Sequence, residues 1–272
     1  MDTKRIRFTH SDLKAEKKTR NNLHINSIKF AYKTYDQIVG IRENMKNEIQ
    51  DMFEKIKPKN ITIVHNINNI NLIIKNSSKE LVFQEDTFSN YTINEINEIL
   101  NKKESKKFIN IARFSKEKGL SRLIEAFKEY RNDNLDSYLF LIGGHGPEFN
   151  NVMKLIGKNK NDNIIVIRSI LNPFPVLKKC DLFILSSYYE GLPITVMESL
   201  ILNIPVLSVN IEGPREFLKQ GYAYLTEDSK QGLVEGMKKF SNDEYGPLKR
   251  FDGEKFNERA IKEFYNILDM EK

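Results

Sequence analysis

A single cysteine, Cys180, among 272 residues excludes an intrachain disulfide and any cysteine-based zinc site. It stands just before an apolar run, where packing is its expected role. The four histidines, His10, His24, His65 and His145, are scattered without metal-ligand spacing, so no metal is expected. No apolar run reaches the roughly 18 residues of a membrane-spanning helix, and the start, MDTKRIRFTHSDLK, lacks the apolar core of a signal peptide. A cytoplasmic location is the expectation that follows. The chain also has no internal period and no low-complexity tract, which excludes a repeat protein.

What is present describes a globular chain. Hydrophobic residues make up 40% and charged residues 29%, and the length allows one large or two modest domains, each with a core. The net charge of +6 is unevenly placed: residues 1–60 hold 14 Lys plus Arg against 8 Asp plus Glu, and 14 minus 8 is the whole excess. Such a basic region suits an anionic membrane surface or a polyanionic acceptor, and it equally suits solvated helix faces. Nucleic acid is not expected, because no aromatic-interleaved basic stripe accompanies the charge.

Apolar periodicity predicts alternating strands and helices. Strands are expected at Arg5 to Thr9, Gln37 to Ile41 and Ile61 to His65, with a helix from the cap candidates Ser11 and Asp12 toward Tyr32 and another from Glu43 to Ile56, stopped by Pro58. Asn66 to Ser78 reads as a connector, Leu81 to Phe83 as a strand and Ile93 to Leu100 as a helix. Beyond it the pattern is regular. Strands are expected at Phe108 to Ala112, Tyr138 to Ile142, Ile164 to Ile167, Asp181 to Ser186 and Pro205 to Val209. Helices are expected at Leu120 to Tyr130, Phe149 to Ile156, Pro173 to Lys178 and from Pro193 to Asn203. A turn at Glu212 to Pro214, a short helix from Arg215, an edge strand at Tyr222 to Leu225 and terminal helices from Ser229 complete the chain. This alternation predicts an α/β fold with a doubly wound parallel sheet.

Ligands of such sheets lie at the carboxyl ends of strands, and four segments fall there. After the Asp181 strand come Glu190, Gly191 and the free N–H groups of a helix start, with Glu198 further along that helix; an anion is the natural guest. After the Phe108 strand come Arg113 and Lys118, two cations able to neutralise a diphosphate or simply to face solvent. Between the Tyr138 strand and its helix lies GGHGPE, Gly143 to Glu148. Its Gly144 and Gly146 begin a dinucleotide fingerprint, but the last position is Phe149, which argues against NAD or FAD. Arg168, Ser169 and Ile170 leave the Ile164 strand, and His10 closes the first strand ahead of Asp12.

Glu190-Gly191-Leu192-Pro193, followed after four residues by Glu198, resembles the signature of the retaining glycosyltransferases of family 4 (group 1), which have the two-domain GT-B architecture. Arg113, Lys118 and Gly119 resemble the Arg and Lys-Gly of that family that hold the donor diphosphate. Gly144 and Gly146 are similar to its Gly-x-Gly-Pro-Glu turn beside the nucleotide. The resemblance implies a Rossmann-like donor domain at 76–250, a partial acceptor-side α/β domain with linker at 1–75, and a helix at 251–272 crossing back to it. The catalytic residues it implies are Arg113, Lys118, Glu190 and His10, the last paired with Asp12.

Donor binding is implied at Gly144, Gly146, Arg168, Ser169, Ile170, Gly191, Leu192, Ile194, Thr195 and Glu198, with Glu190 on sugar hydroxyls and Glu198 on the ribose. The family usually has a glycine near 168–170, where this chain has Arg-Ser-Ile. The implied reaction moves a sugar with retention from a nucleotide-diphosphate sugar to a glycan, polyol-phosphate or lipid-linked acceptor in cell-surface polysaccharide synthesis, with no cofactor and no metal. The chain begins almost at the His10 strand, so the first part of the N-terminal domain is expected to be lacking. A homo-oligomer or partner chain would then cover that domain, with peripheral association at the inner face of the membrane. The alternatives are a catalytically incomplete fragment or subunit that binds nucleotide sugar or a partner chain, and a sugar-nucleotide epimerase.

Overall fold

The computed structural model describes residues 4–10, 25–52, 60–157 and 160–268. The chain divides into two compact units. One holds the residues up to Asn68, Tyr189–Ile194 and those from Asp252 on; the other holds Asn69–Tyr188 and Thr195–Phe251.

In the first unit β1 (Ile6–Thr9), β2 (Gln37–Gly40) and β3 (Ile61–Ile63) form a parallel sheet with β2 in the middle. Side chains alternate across a strand, so Ile38 and Val39 serve opposite faces. Ile38 packs with Tyr32 of α1 (Ile25–Lys33) and with Met45 and Ile49 of α2 (Met45–Met52). Val39 packs with Val64 and with Ile267 of the terminal helix Gly253–Ile267. That helix is tied on by polar contacts: Glu263 Oε2 accepts from the His65 N–H at 3.0 Å, and Asn68 and Asn257 exchange bonds of 3.0 and 2.7 Å. Arg42 and Glu48 form a buried bidentate pair at 2.6 and 2.8 Å. Residues 11–24 and 53–59 lie outside the described residues, so the expected caps Ser11 and Asp12, and Pro58, are not among them.

The second unit is built on seven strands in the order β10-β9-β8-β5-β6-β7-β4: β4 (Phe88–Ser89), β5 (Lys106–Ile111), β6 (Ser137–Gly143), β7 (Ile164–Arg168), β8 (Leu182–Leu185), β9 (Val206–Val209) and β10 (Tyr224–Thr226). All pairs are parallel except β4 with β7. The helices are α3 (Ile70–Ser77), α4 (Ile93–Asn101), α5 (Leu120–Arg131), α6 (Phe149–Ile156), α7 (Phe174–Leu177), α8 (Ile194–Ile201), α9 (Glu212–Leu218) and α10 (Lys230–Ser241). The central strands are largely apolar because helices cover both their faces, and the buried Asn110 of β5 donates to Ile184 O at 2.8 Å. Phe108, Leu139 and Ile184 meet Leu123 and Phe127 of α5 and Leu233 and Met237 of α10 in one core.

Three expectations are corrected. Asn66 to Ser78, expected as a connector, holds the boundary between the units at Asn68 and Asn69 but is helical from Ile70, where Asn69 caps α3 by accepting from the Leu72 N–H at 3.1 Å. Leu81 to Phe83 is not a strand; the strand there is β4, and it stays short because the Asn90 side chain completes the edge, accepting from Val166 N–H at 2.7 Å and donating to Ile164 O at 2.9 Å. Glu212 to Pro214 is already helical, since a proline in the first turn lacks only an N–H that has no intrahelical partner.

Candidate functional site

The sheet order reverses between β5 and β8: β6 and β7 follow on one side of β5, whereas the chain returns to place β8, β9 and β10 on the other. A crevice opens where successive crossovers depart to opposite faces, at the carboxyl ends of the two strands. The loop leaving β5 carries Arg113 and Lys118.

Arg113 is exposed, and its Nη2 donates to Glu117 Oε1 at 3.2 Å; the Ser115 hydroxyl donates to the same oxygen at 2.6 Å. Burial pushes the Glu117 carboxyl up, but the Ser115 hydroxyl and the charges of Arg113 and Lys118 outweigh it and hold the group below the usual carboxylate range. Glu117 thus pairs with Arg113. Lys118 ends a single 3-10 turn, Lys116–Lys118, and Gly119 follows with φ of +62°, turning the chain into α5. A Cβ at Gly119 would stand 2.2 Å from the Ser186 carbonyl oxygen, so this glycine lets the loops after β5 and β8 touch. Ser186 Oγ donates to Lys118 O at 2.9 Å, and the Tyr188 N–H donates to Glu117 O at 2.8 Å.

The glycine-rich turn after β6 adjoins the same loop. A Cβ at Gly146 would meet Phe114 O at 2.1 Å, and the Glu148 N–H donates to that oxygen at 2.9 Å. Gly144 faces open space, with nothing among the described residues within 4 Å of its would-be Cβ. His145 is exposed. At the end of β7, Arg168 turns its guanidinium onto Phe149, 4.3 Å from the ring centroid, with Phe88 at 5.9 Å. Ser169 adopts φ of +61°, and its buried Oγ has no hydrogen-bond partner among the described residues. That conformation accounts for a glycine being the easier residue here. Ile170 is half-buried.

On α8, Thr195 O accepts from Ser199 Oγ at 2.7 Å. Glu198, one turn on, makes no side-chain hydrogen bond or ion pair among the described residues, and burial pushes its carboxyl up. In the first unit, Gly191 lies against the end of β1, where a Cβ would stand 2.6 Å from the His10 carbonyl oxygen. The exposed His10 ring stacks on Phe8 at 6.1 Å. Leu192 is buried, Ile194 exposed and Glu190 half-buried.

The structure therefore places Arg113 and Lys118 on one loop, with Arg113 paired to Glu117, and brings His10 beside Gly191, while Arg168 spends its cation on aromatic rings. Sequence reasoning missed Glu117, Ser115 and Ser186. The four-residue spacing of Arg113 and Glu117 across a tight turn was the one available signal. Among the described residues no cluster of three or more His, Cys, Asp and Glu could hold a metal, and no helix is long and apolar enough to cross a membrane.

The sequence matches the family described as "Glycosyl transferases group 1" over residues 92–263. An uncharacterized glycosyltransferase of Methanocaldococcus jannaschii is 34% identical over 192 residues, covering 70% of this chain and 44% of that protein. The capsular polysaccharide biosynthesis glycosyltransferase CapH of Staphylococcus aureus is 32% identical over 202 residues, 71% of this chain and 54% of CapH. The chain thus spans about half the length of the curated relatives it matches.

Among solved structures, HepE of Anabaena in complex with UDP and glucose superposes with a TM-score of 0.71 at 15% identity, covering 95% of this chain and 70% of that one. A sucrose-phosphate synthase of Thermosynechococcus elongatus gives 0.70 at 15% identity, with 98% and 66% covered. These likenesses identify the fold as the GT-B type of α/β protein with a mostly parallel Rossmann-like sheet. Matched over more than half of its length, the chain belongs to the group 1 family of glycosyl transferases.

Proposed function

We propose that this transferase moves a sugar, with retention at the anomeric carbon, from a nucleotide-diphosphate sugar to an acceptor hydroxyl during synthesis of a cell-surface polysaccharide. The observation behind this reading is that Arg113 and Lys118 both stand in the loop at the carboxyl end of β5, with Arg113 paired to Glu117. In the reaction the bond from the anomeric carbon to the diphosphate oxygen breaks and one to the acceptor oxygen forms on the same face. The leaving diphosphate gains negative charge while the sugar becomes cation-like. Fixed cations and backbone N–H groups stabilise such charge most when they need no reorganisation.

Arg113, Lys118 and the N–H groups of Gly191, Leu192, Ile194 and Thr195 take that role in this reading. Glu190 holds sugar hydroxyls, Glu198 the ribose, and His10 faces the donor sugar; Gly144, Gly146 and the Arg168-Ser169-Ile170 segment adjoin the nucleotide. No cofactor or metal is required. The HepE complex with UDP and glucose makes a UDP-sugar the first donor to try, and CapH supports a capsular type of product. The acceptor is a glycan, a polyol phosphate or a lipid-linked sugar. Peripheral association with the inner face of the membrane, through the basic first 60 residues, belongs to the same proposal.

The second reading is a donor-binding fragment or subunit without turnover, favoured by the chain's covering 44% and 54% of the two relatives named above. One assay separates the readings. The protein is incubated with nucleotide sugars, with and without acceptor glycans, and the released diphosphate and the anomeric configuration of the product are followed. Acceptor-dependent release with an unchanged anomer supports the transferase. Donor binding without release supports the fragment, an inverted product contradicts retention, and conversion of donor without acceptor points to an epimerase.

A further inference from the structure

We propose that Arg122 is a positioning residue of the diphosphate site, clamping the end of β8 against the loop that carries Lys118; the inference rests on the donor-site reading above. Arg122 lies in the first turn of α5 and is 8% exposed. Its Nε donates to Ser186 O at 2.8 Å and its Nη2 to Ser187 O at 2.9 Å, while Nη1 bonds Asp228 Oδ1 at 2.7 Å. The guanidinium also lies over the Tyr188 ring, 4.2 Å from its centroid.

Each contact answers a physical need. The ladder of β8 ends at Leu185, where it pairs with Ser208, so the next two carbonyls leave the sheet while Ser186 and Ser187 are almost fully buried. Carbonyls there require donors, and one planar guanidinium supplies two in the fixed fork that successive carbonyls can accept. Asp228 balances the buried cation.

The clamp joins the first turn of α5, which follows the Lys118 loop directly, to the loop after β8. Three further features tie the same pair: the Ser186 Oγ bond to Lys118 O, the Tyr188 N–H bond to Glu117 O, and the approach that Gly119 permits. One loop bears Arg113, Glu117 and Lys118, and the other runs directly into Glu190 and Gly191. Arg122 touches no donor group in this account and acts through Lys118 and the backbone that follows Tyr188.

The test uses the full chain, calorimetry with UDP, GDP, CDP and ADP and their monophosphates, and hydrogen exchange. Arg122→Lys keeps the charge and offers one nitrogen in place of the fork. It is expected to weaken the best-bound diphosphate about tenfold and to spare the monophosphate. Combined with Lys118→Ala, it should add nothing to the loss caused by Lys118→Ala alone. The Tyr188 amide should exchange faster while amides of β5 and β6 keep their rates.

A merely structural arginine predicts the opposite: losses that multiply with Lys118→Ala, fall on mono- and diphosphate alike, and accompany a general rise in exchange. Any of these overturns the proposal. Should Arg122→Lys not fold, Ser186→Ala, which removes only the tie to Lys118 O, is expected to give the same pattern at smaller size, and an unchanged diphosphate affinity there counts against it. If the wild-type chain binds no diphosphate at all, the donor-site reading fails first and this inference with it, a result distinguished by its appearing without any substitution.

Discussion

Ser169 carries a left-handed φ of +61° that costs a residue with a Cβ about 1 kcal/mol, and its buried hydroxyl adds an unsatisfied polar group. Its backbone bonds, from its own N–H to Gly143 O and from Thr87 Oγ1 to its carbonyl, would survive loss of the side chain. Glycine is freer in the unfolded chain, which offsets part of the gain, so Ser169→Gly is expected to stabilise the protein by about 1 kcal/mol. A urea midpoint that stays put or falls contradicts this. Glu198 makes a different prediction. Burial raises its folded pKa above the unfolded value, so its effect on stability is most favourable below an unfolded pKa of about 4.3 and is lost as pH rises through the folded pKa. Glu198→Gln should therefore melt higher than wild type at pH 7, with the difference vanishing near about pH 4. Equal melting temperatures at both values would show that the carboxylate is solvated. A side chain that destabilises the free protein is a candidate for work on a ligand.

The turn between β6 and α6 separates packing from binding within one element. Gly146 has the Phe114 backbone where a Cβ would go, so Gly146→Ala must shift one loop against the other and is expected to cost about 2 kcal/mol or more. Gly144 has open space, and Gly144→Ala should leave stability within about 0.5 kcal/mol of wild type. If the donor approaches the Gly144 backbone, nucleotide affinity falls in that stable variant; unchanged affinity removes Gly144 from the site. The limits of α6, Phe149–Ile156, were readable from spacing alone, because its apolar residues recur at helical period between a glycine turn and Gly157. The core strands were readable within two residues for the same kind of reason. By contrast, α3 hides behind a run of Asn and Ile, and β4 depends on a side chain of Asn90 completing a ladder 74 residues away. Arg113 and Lys118 were legible as cations at a strand end. Glu117, Ser186 and Arg122 were not, since their roles arise from loops brought together only when β8 inserts beside β5.

At the scale of the molecule, two α/β units share a chain that enters the second at Asn69, returns to the first for Tyr189–Ile194, and ends there from Asp252 on. The second unit holds the reversal of strand order and the cations beside it, while the first holds His10 and Gly191. The claim on which the rest depends is that the carboxyl ends of β5 and β8 grip a diphosphate. The direct measurement is calorimetric: the best-bound nucleoside diphosphate against its monophosphate, for wild type and for Lys118→Ala. Two cations on one loop should favour the diphosphate by at least about tenfold, and Lys118→Ala should erase most of that preference. Equal affinities in the wild type, or a preference untouched by Lys118→Ala, would contradict the account.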